Sequence, residues 1–168
     1  KKQKMALSFM PSQKNDVVTK GQFFYSHPGA LYHPIAVTPA CDQLTLNDGS
    51  VWSVYYSDRN KLLSWLPSDT VVIKANDGWF TSYKFMLINQ VSGDCIEANM
   101  LEGPLYNGMY SHWIIAIDSY NQQLMLEDGT IWQLSPADTA IIKYWLINDT
   151  IMIGINDSWF SKYDSILI

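Results

Sequence analysis

The clearest pattern along the chain is an apolar–polar alternation that breaks at an acid–glycine pair and then resumes. Gln43-Leu44-Thr45-Leu46 alternates, Asp48-Gly49 follows, and Val51-Trp52-Ser53-Val54 alternates again. A period of two sends one face of a strand inward, and Asp-Gly between two such runs is a strong hairpin signal. The pattern returns as Gln123-Leu124-Met125-Leu126, Asp128-Gly129 and Ile131-Trp132-Gln133-Leu134. Both stretches predict a tight type I′ hairpin, with the two turn residues at positive φ.

The recurrence reaches well beyond the hairpin. Residues 42–88 align with residues 122–168 without a gap, and roughly two positions in five are identical. The shared residues include Trp52/Trp132, Asp58/Asp138, Trp65/Trp145, Leu66/Leu146 and Asp69/Asp149. Asn76/Asn156, Asp77/Asp157, Trp79/Trp159, Phe80/Phe160 and Tyr83/Tyr163 continue the series. Upstream, Ile35-Ala36-Val37 matches Ile115-Ala116-Ile117, which predicts an earlier strand in each copy. After the hairpin, Ser57 or Asp58 can cap a short helix, and Pro136 suits a first helical turn. Leu62, Trp65 and Leu66 then fall at helical spacing, as do Ile142, Trp145 and Leu146. Val71-Val72-Ile73 and Ile151-Met152-Ile153 read as the next strand, followed by an Asn-Asp turn and a last strand.

Short, regularly spaced strands joined by hairpins imply an all-β chain with short helices. The architecture predicted is two tandem five-stranded, partly open barrels of SH3-like or OB-like type, related by internal duplication. Residues 22–100 form the first β-barrel module and 101–168 the second, with 1–21 an N-terminal tail or edge segment. Ser92 to Pro104 supplies a linking strand and a turn. The second copy has no counterpart of that strand after Ile168, so the N-terminal segment or the linking strand is a candidate to complete the other module's sheet.

The motif order is Asp48-Gly49-Ser50-x-Trp52, then Trp65, Asp69-x-Val71-x-Ile73 and Asn76-Asp77-x-Trp79-Phe80. It resembles small, mostly uncharacterised bacterial proteins, some from chlamydia-like and other host-associated lineages. The resemblance spans residues 33–168. It implies the repeated β-module and no particular activity, so it assigns no functional residues. Ser68 and Asn148 stand where a Trp-x-x-Gly-Asp variant of the pattern has glycine.

Composition narrows the function. Aromatic residues make up 14% of the chain, with seven Trp and ten Tyr, which suits both strand faces and binding surfaces. The net charge is -5, with only eleven Lys and Arg, five of them in the first twenty residues. Such a chain lacks the basic face that nucleic acid requires. No apolar run is long enough for a transmembrane helix, and no signal peptide is visible. The chain begins without Met, and if a leader preceded it, export to the periplasm or beyond is favoured. Cys41 and Cys95 read as two separate thiols, with a disulfide as the alternative. Asn121 replaces Cys41 in the second copy, so this thiol is not part of the repeat.

Catalytic signatures are weak. The duplicated acids Asp48/Asp128, Asp69/Asp149 and Asp77/Asp157 sit where turns and strand entries favour Asp, so a hydrolase built on them is the lesser reading. His27, His33 and His112 show no metal-ligand spacing, and they are not equivalent under the repeat. No cofactor, metal or catalytic residue is indicated. Asp48, Gly49, Trp52, Trp65 and their partners Asp128, Gly129, Trp132 and Trp145 are expected to be structural. The candidate binding residues are Asn76, Asp77, Trp79 and Phe80, with Asn156, Asp157, Trp159 and Phe160. Two adjacent rings cannot both point inward from a regular strand, so one of each pair should stay exposed or be covered by an interface. An interface between the barrels or between protomers is the favoured of these two. The function expected is a non-catalytic binding or scaffold role with a protein or peptide partner, or alternatively a glycan.

Overall fold

A computed structural model describes residues 5–9, 27–105, 111–157 and 161–168. In the first half, β2 (Pro34–Val37), β3 (Gln43–Leu46) and β4 (Val51–Val54) form a meander. Leu44, Leu46, Trp52 and Val54 point inward, as the alternation requires. A 3-10 helix over Tyr56–Ser64 leads to β5 (Val71–Ala75), β6 (Phe85–Asn89) and β7 (Cys95–Glu102). The second half carries β8 (His112–Asp118), β9 (Gln123–Leu126), β10 (Ile131–Leu134), β11 (Thr150–Ile151), β12 (Ile153–Ile155) and β13 (Ser165–Leu167). A 3-10 turn over Pro136–Asp138 and one turn of α1 (Thr139–Ile142) separate β10 from β11.

The protein is mostly β, and part of it curls into a half-barrel. Its strands follow one another in the order β11-β8-β9-β10-β1-β13-β12-β5-β6-β7-β4-β3-β2, where β1 is Met5–Phe9. Several pairings in the two halves differ only by a shift of 80. Leu44 pairs with Trp52 and Leu124 with Trp132. The Tyr32–Val71 bridge corresponds to His112–Ile151.

Two strands are placed where the sequence pattern left them open. β7 lies between β4 and β6, with Met100 opposite Trp52 and Ala98 opposite both Val54 and Phe85, so it belongs within the first-half sheet. β1 occupies the corresponding place in the second half, with Phe9 opposite Trp132 and Leu7 opposite both Leu134 and Ser165. The N-terminal segment thus completes the sheet of the second half. Its strand is interior to the order.

Two apolar clusters fill the halves. Trp52, Trp65, Ile73, Leu87 and Ile96 anchor one, with Trp52 edge-on to Phe85 at 5.4 Å. Trp132, Trp145, Ile153 and Leu167 anchor the other. Each cluster borrows a residue from the other half: Met152 joins the first and Ala30 the second. The halves also meet where β12 runs parallel to β5, with Ile155 opposite Lys74.

Three expectations need correction. The hairpins are not type I′, because only Gly49 and Gly129 have positive φ, each 84°, while Asp48 and Asp128 do not. Gly49 N–H donates to the Leu46 carbonyl and Leu46 N–H to the Ser50 carbonyl, which is a three-residue loop closed by a left-handed glycine. Asp58 does not cap the helix; its carboxylate accepts from Lys61 Nζ and from Glu97 N–H. Leu66 and Leu146 are exposed; before Leu66 the 3-10 segment gives way at Trp65 to extended backbone, which turns Leu66 outward. Cys41 and Cys95 are free thiols. No helix among the described residues is long and apolar enough to cross a membrane.

Candidate functional site

The repeated Asp-Gly-Ser/Thr-x-Trp motif folds into one hydrogen-bond chain. Trp52 Nε1 donates to Ser50 Oγ at 2.9 Å, and Ser50 Oγ donates to Asp48 Oδ1 at 2.6 Å. Ser50 N–H reaches the same oxygen. Trp132, Thr130 and Asp128 repeat every one of these bonds. Both Trp rings are fully buried, so the chain satisfies the one polar atom each brings inside. Trp65 and Trp145 are buried too, but their Nε1 atoms have no partner.

The candidate binding residues separate. Trp79 is 95% and Phe80 103% exposed, at the tip of the turn between β5 and β6. Neither ring points inward, and among the described residues no interface between the halves covers them. Asn76 faces the turn itself, accepting from Gly78 N–H. Thr81 donates to Glu97, and Tyr83 packs on Tyr55 at 5.2 Å. That contact joins the loop to the start of the 3-10 helix, where Tyr55 and Tyr56 are exposed. In the second half, Asp157 pairs with Lys74 of the first at 2.7 Å, and Asn156 Nδ2 donates to Ser161 Oγ. Trp159 and Phe160 lie outside the described residues.

Asp69 and Asp149 act near their own loops. Asp69 accepts from Leu66 N–H and from Asn89 Nδ2, and Asp149 accepts from Leu146 N–H. Each closes the loop that follows its helix. Asp48 and Asp128 differ in surroundings despite the shared motif. Burial pushes the Asp48 carboxyl up, against the Ser50 hydroxyl and amide, and its Oδ2 has no partner. Partial burial also pushes Asp128 up, but the Thr130 hydroxyl and amide and the His27 ring outweigh it and hold this carboxyl below the usual range.

No ligand spacing in the chain brings histidines together, yet two of them meet at Asp128. His27 Nε2 lies 2.8 Å from Asp128 Oδ2. His112 Nδ1 lies 2.8 Å from Glu127 Oε1 and 3.9 Å from Asp128 Oδ2. The imidazoles stand edge to face at 4.7 Å, and both are buried. Gly29 N–H donates to His27 Nδ1, so His27 carries its proton on Nε2 and gives it to Asp128. His112 gives its Nδ1 proton to Glu127, and its buried Nε2 has no partner. Two further amides fix the carboxylates: Trp113 N–H donates to Glu127 Oε2 and Thr130 N–H to Asp128 Oδ1. The corresponding first-half positions hold Tyr32, Asn47 and Asp48, which lack the nitrogen donors. The signal available in the sequence was this departure from the repeat, His for Tyr and Glu for Asn.

No protein-family model, curated protein or solved structure matches the chain.

Proposed function

We propose that the chain is a non-catalytic binding or scaffold protein made of two duplicated, partly open β-barrels of SH3-like or OB-like type. Its partner is a protein or peptide. The observation that carries this reading is the side-by-side exposure of Trp79 and Phe80 on a turn that their neighbours hold in shape. Large aromatic anchors on a fixed loop, bordered by Tyr55, Tyr56 and Tyr83, suit an apolar side chain of a partner. The nearby polar groups favour this over a glycan, since Asn76 and Asp157 are engaged in the turn and in the Lys74 ion pair. The local bonding of Asp69 and Asp149 supports the non-catalytic reading over a hydrolase. The shift of 80 common to strand pairings and motif hydrogen bonds supports the duplication.

Panning a displayed random-peptide library against the full chain tests the proposal, with a glycan array in parallel. The expected result is enrichment of apolar or aromatic peptides whose binding is lost in Trp79→Ala and Phe80→Ala, while both variants melt like the parent. Binding on the glycan array alone would replace the peptide reading. Peptides that bind both variants unchanged would remove Trp79 and Phe80 from the site.

A further inference from the structure

We propose that His27, His112, Glu127 and Asp128 form a binding site for a divalent transition metal, with Zn²⁺ the best-suited ion. Two imidazole nitrogens with two carboxylate oxygens are a donor set that Zn²⁺ takes readily, and one too rich in nitrogen for Mg²⁺ or Ca²⁺. Bonds of roughly 2.0–2.1 Å in a tetrahedral site place neighbouring donors about 3.3 Å apart. The measured separations bracket that figure: 2.8 Å for His27–Asp128, 2.8 Å for His112–Glu127 and 3.9 Å for His112–Asp128.

The shell around these donors is already built. Thr130 holds Asp128 through its amide and hydroxyl, and the Trp113 amide holds Glu127. Such outer bonds orient carboxylate ligands and tune their affinity. Both rings are buried, while Asp128 is exposed and gives an ion a way in.

A second observation points the same way. One ligand atom each from His27, His112 and Asp128 lies within 4.8 Å of the other two, so the three converge on one place. On loading, the ion takes the places of the two ring protons now shared with Asp128 and Glu127. Those protons move to His27 Nδ1 and His112 Nε2, and none is gained or lost. Both of these atoms face Gly29, lying 3.1 and 2.2 Å from where its Cβ would be. His27 Nδ1 can then no longer accept from the Gly29 amide, so the turn over Pro28–Ala30 must shift. That amide is the reporter of loading.

The first half offers an internal contrast. Tyr32, Asn47 and Asp48 supply no imidazole, so the duplication predicts one ion per chain and not two. The ion would also fasten the His27 turn onto the second half, across 101 residues of sequence.

The test uses the full chain stripped with a chelator, titrated with ZnCl₂ by calorimetry and followed by thermal melting and amide NMR. The expected result is one Zn²⁺ per chain, a raised melting temperature reversed by EDTA, and a moved Gly29 amide resonance. His112→Gln and Asp128→Asn should weaken binding by at least about tenfold, while Asp164→Asn, an exposed acid elsewhere, should bind like the parent. Should the buried His112→Gln variant fail to fold, Asp128→Asn and Glu127→Gln at the accessible side carry the same comparison. Absence of saturable binding in the parent, or equal affinity in Asp128→Asn and Glu127→Gln, would overturn the site.

Discussion

The Tyr32 hydroxyl donates to the Ile153 carbonyl and accepts from the Ile153 amide, each at 2.9 Å, so one side chain closes two backbone bonds between the halves. Tyr32 is wholly buried. Tyr32→Phe keeps the ring and leaves both Ile153 groups unpaired in the interior, which should destabilise the protein by about 1–3 kcal/mol. Burial and the nearby Asp48 carboxylate raise the phenol well above the ordinary tyrosine value, against the pull of the Ile153 bond. A raised folded-state value gives stability that is complete below about pH 10 and lost as pH rises further. Denaturant melts should therefore show an alkaline fall in the parent that is smaller in Tyr32→Phe. Parallel curves for the two proteins would contradict the buried double bond.

The two motif acids should respond to pH in opposite directions. Asp48 has a raised carboxyl, so its stabilising contribution is greatest below about pH 3.9 and is lost as pH rises through the folded value. Asp128 has a lowered carboxyl, so its contribution is present above that range and lost as pH falls through its folded value. Relative to the parent, Asp48→Asn should gain stability on going from acid to neutral pH. Asp128→Asn should lose it over the same interval. Thermal melts of both variants across this range check the signs, and two curves moving together would refute the difference in surroundings.

Much of this architecture was legible because strand alternation and turn chemistry are local. Leu44, Trp52, Leu124 and Trp132 are buried where a period of two puts them. The places that were not legible depend on topology. β1 joins β10 and β13 only because the sheet of the second half leaves room between those strands, which no local pattern encodes. The 3-10 geometry after Tyr55 exposes Leu66 despite its helical spacing. His27 and Asp128 meet because the lead-in to the first half crosses to the second. The Ser/Thr of the motif looked like turn filler, yet its hydroxyl links a buried indole to the turn acid.

Two glycines are required for unlike reasons. Gly129 has φ of 84° and open space where a Cβ would stand, so only its backbone conformation resists substitution. Gly129→Val, like Gly49→Val at the matching φ, should destabilise by about 1–3 kcal/mol. Gly154 has no positive φ, but a Cβ there would lie 2.5 Å from the Ile73 carbonyl and 2.8 Å from Ile166 Cγ1. Gly154→Ala must push β12 away from β5 and should also cost about 1–3 kcal/mol through overpacking. Gly129→Asn separates the causes, since Asn tolerates the left-handed region and should retain most of the stability. Equal losses for Asn and Val at position 129 would argue against a conformational cause.

The hydroxyl of Ser50 should matter more than its size. Ser50→Ala removes the acceptor for Trp52 Nε1 and the donor to Asp48 Oδ1, leaving a buried indole N–H without a partner. The expected loss is about 1–3 kcal/mol. Ser50→Thr keeps the hydroxyl, and Thr130 already performs this role beside Trp132, so that change should be far milder. Trp52→Phe removes the same N–H together with ring volume. In the double variant Ser50→Ala/Trp52→Phe no buried donor is stranded, so the combined loss should be smaller than the sum of the single losses. A double-mutant cycle by denaturant unfolding reads that coupling directly. Strict additivity would show that the serine and the tryptophan contribute independently and that the motif is only a turn followed by a core residue.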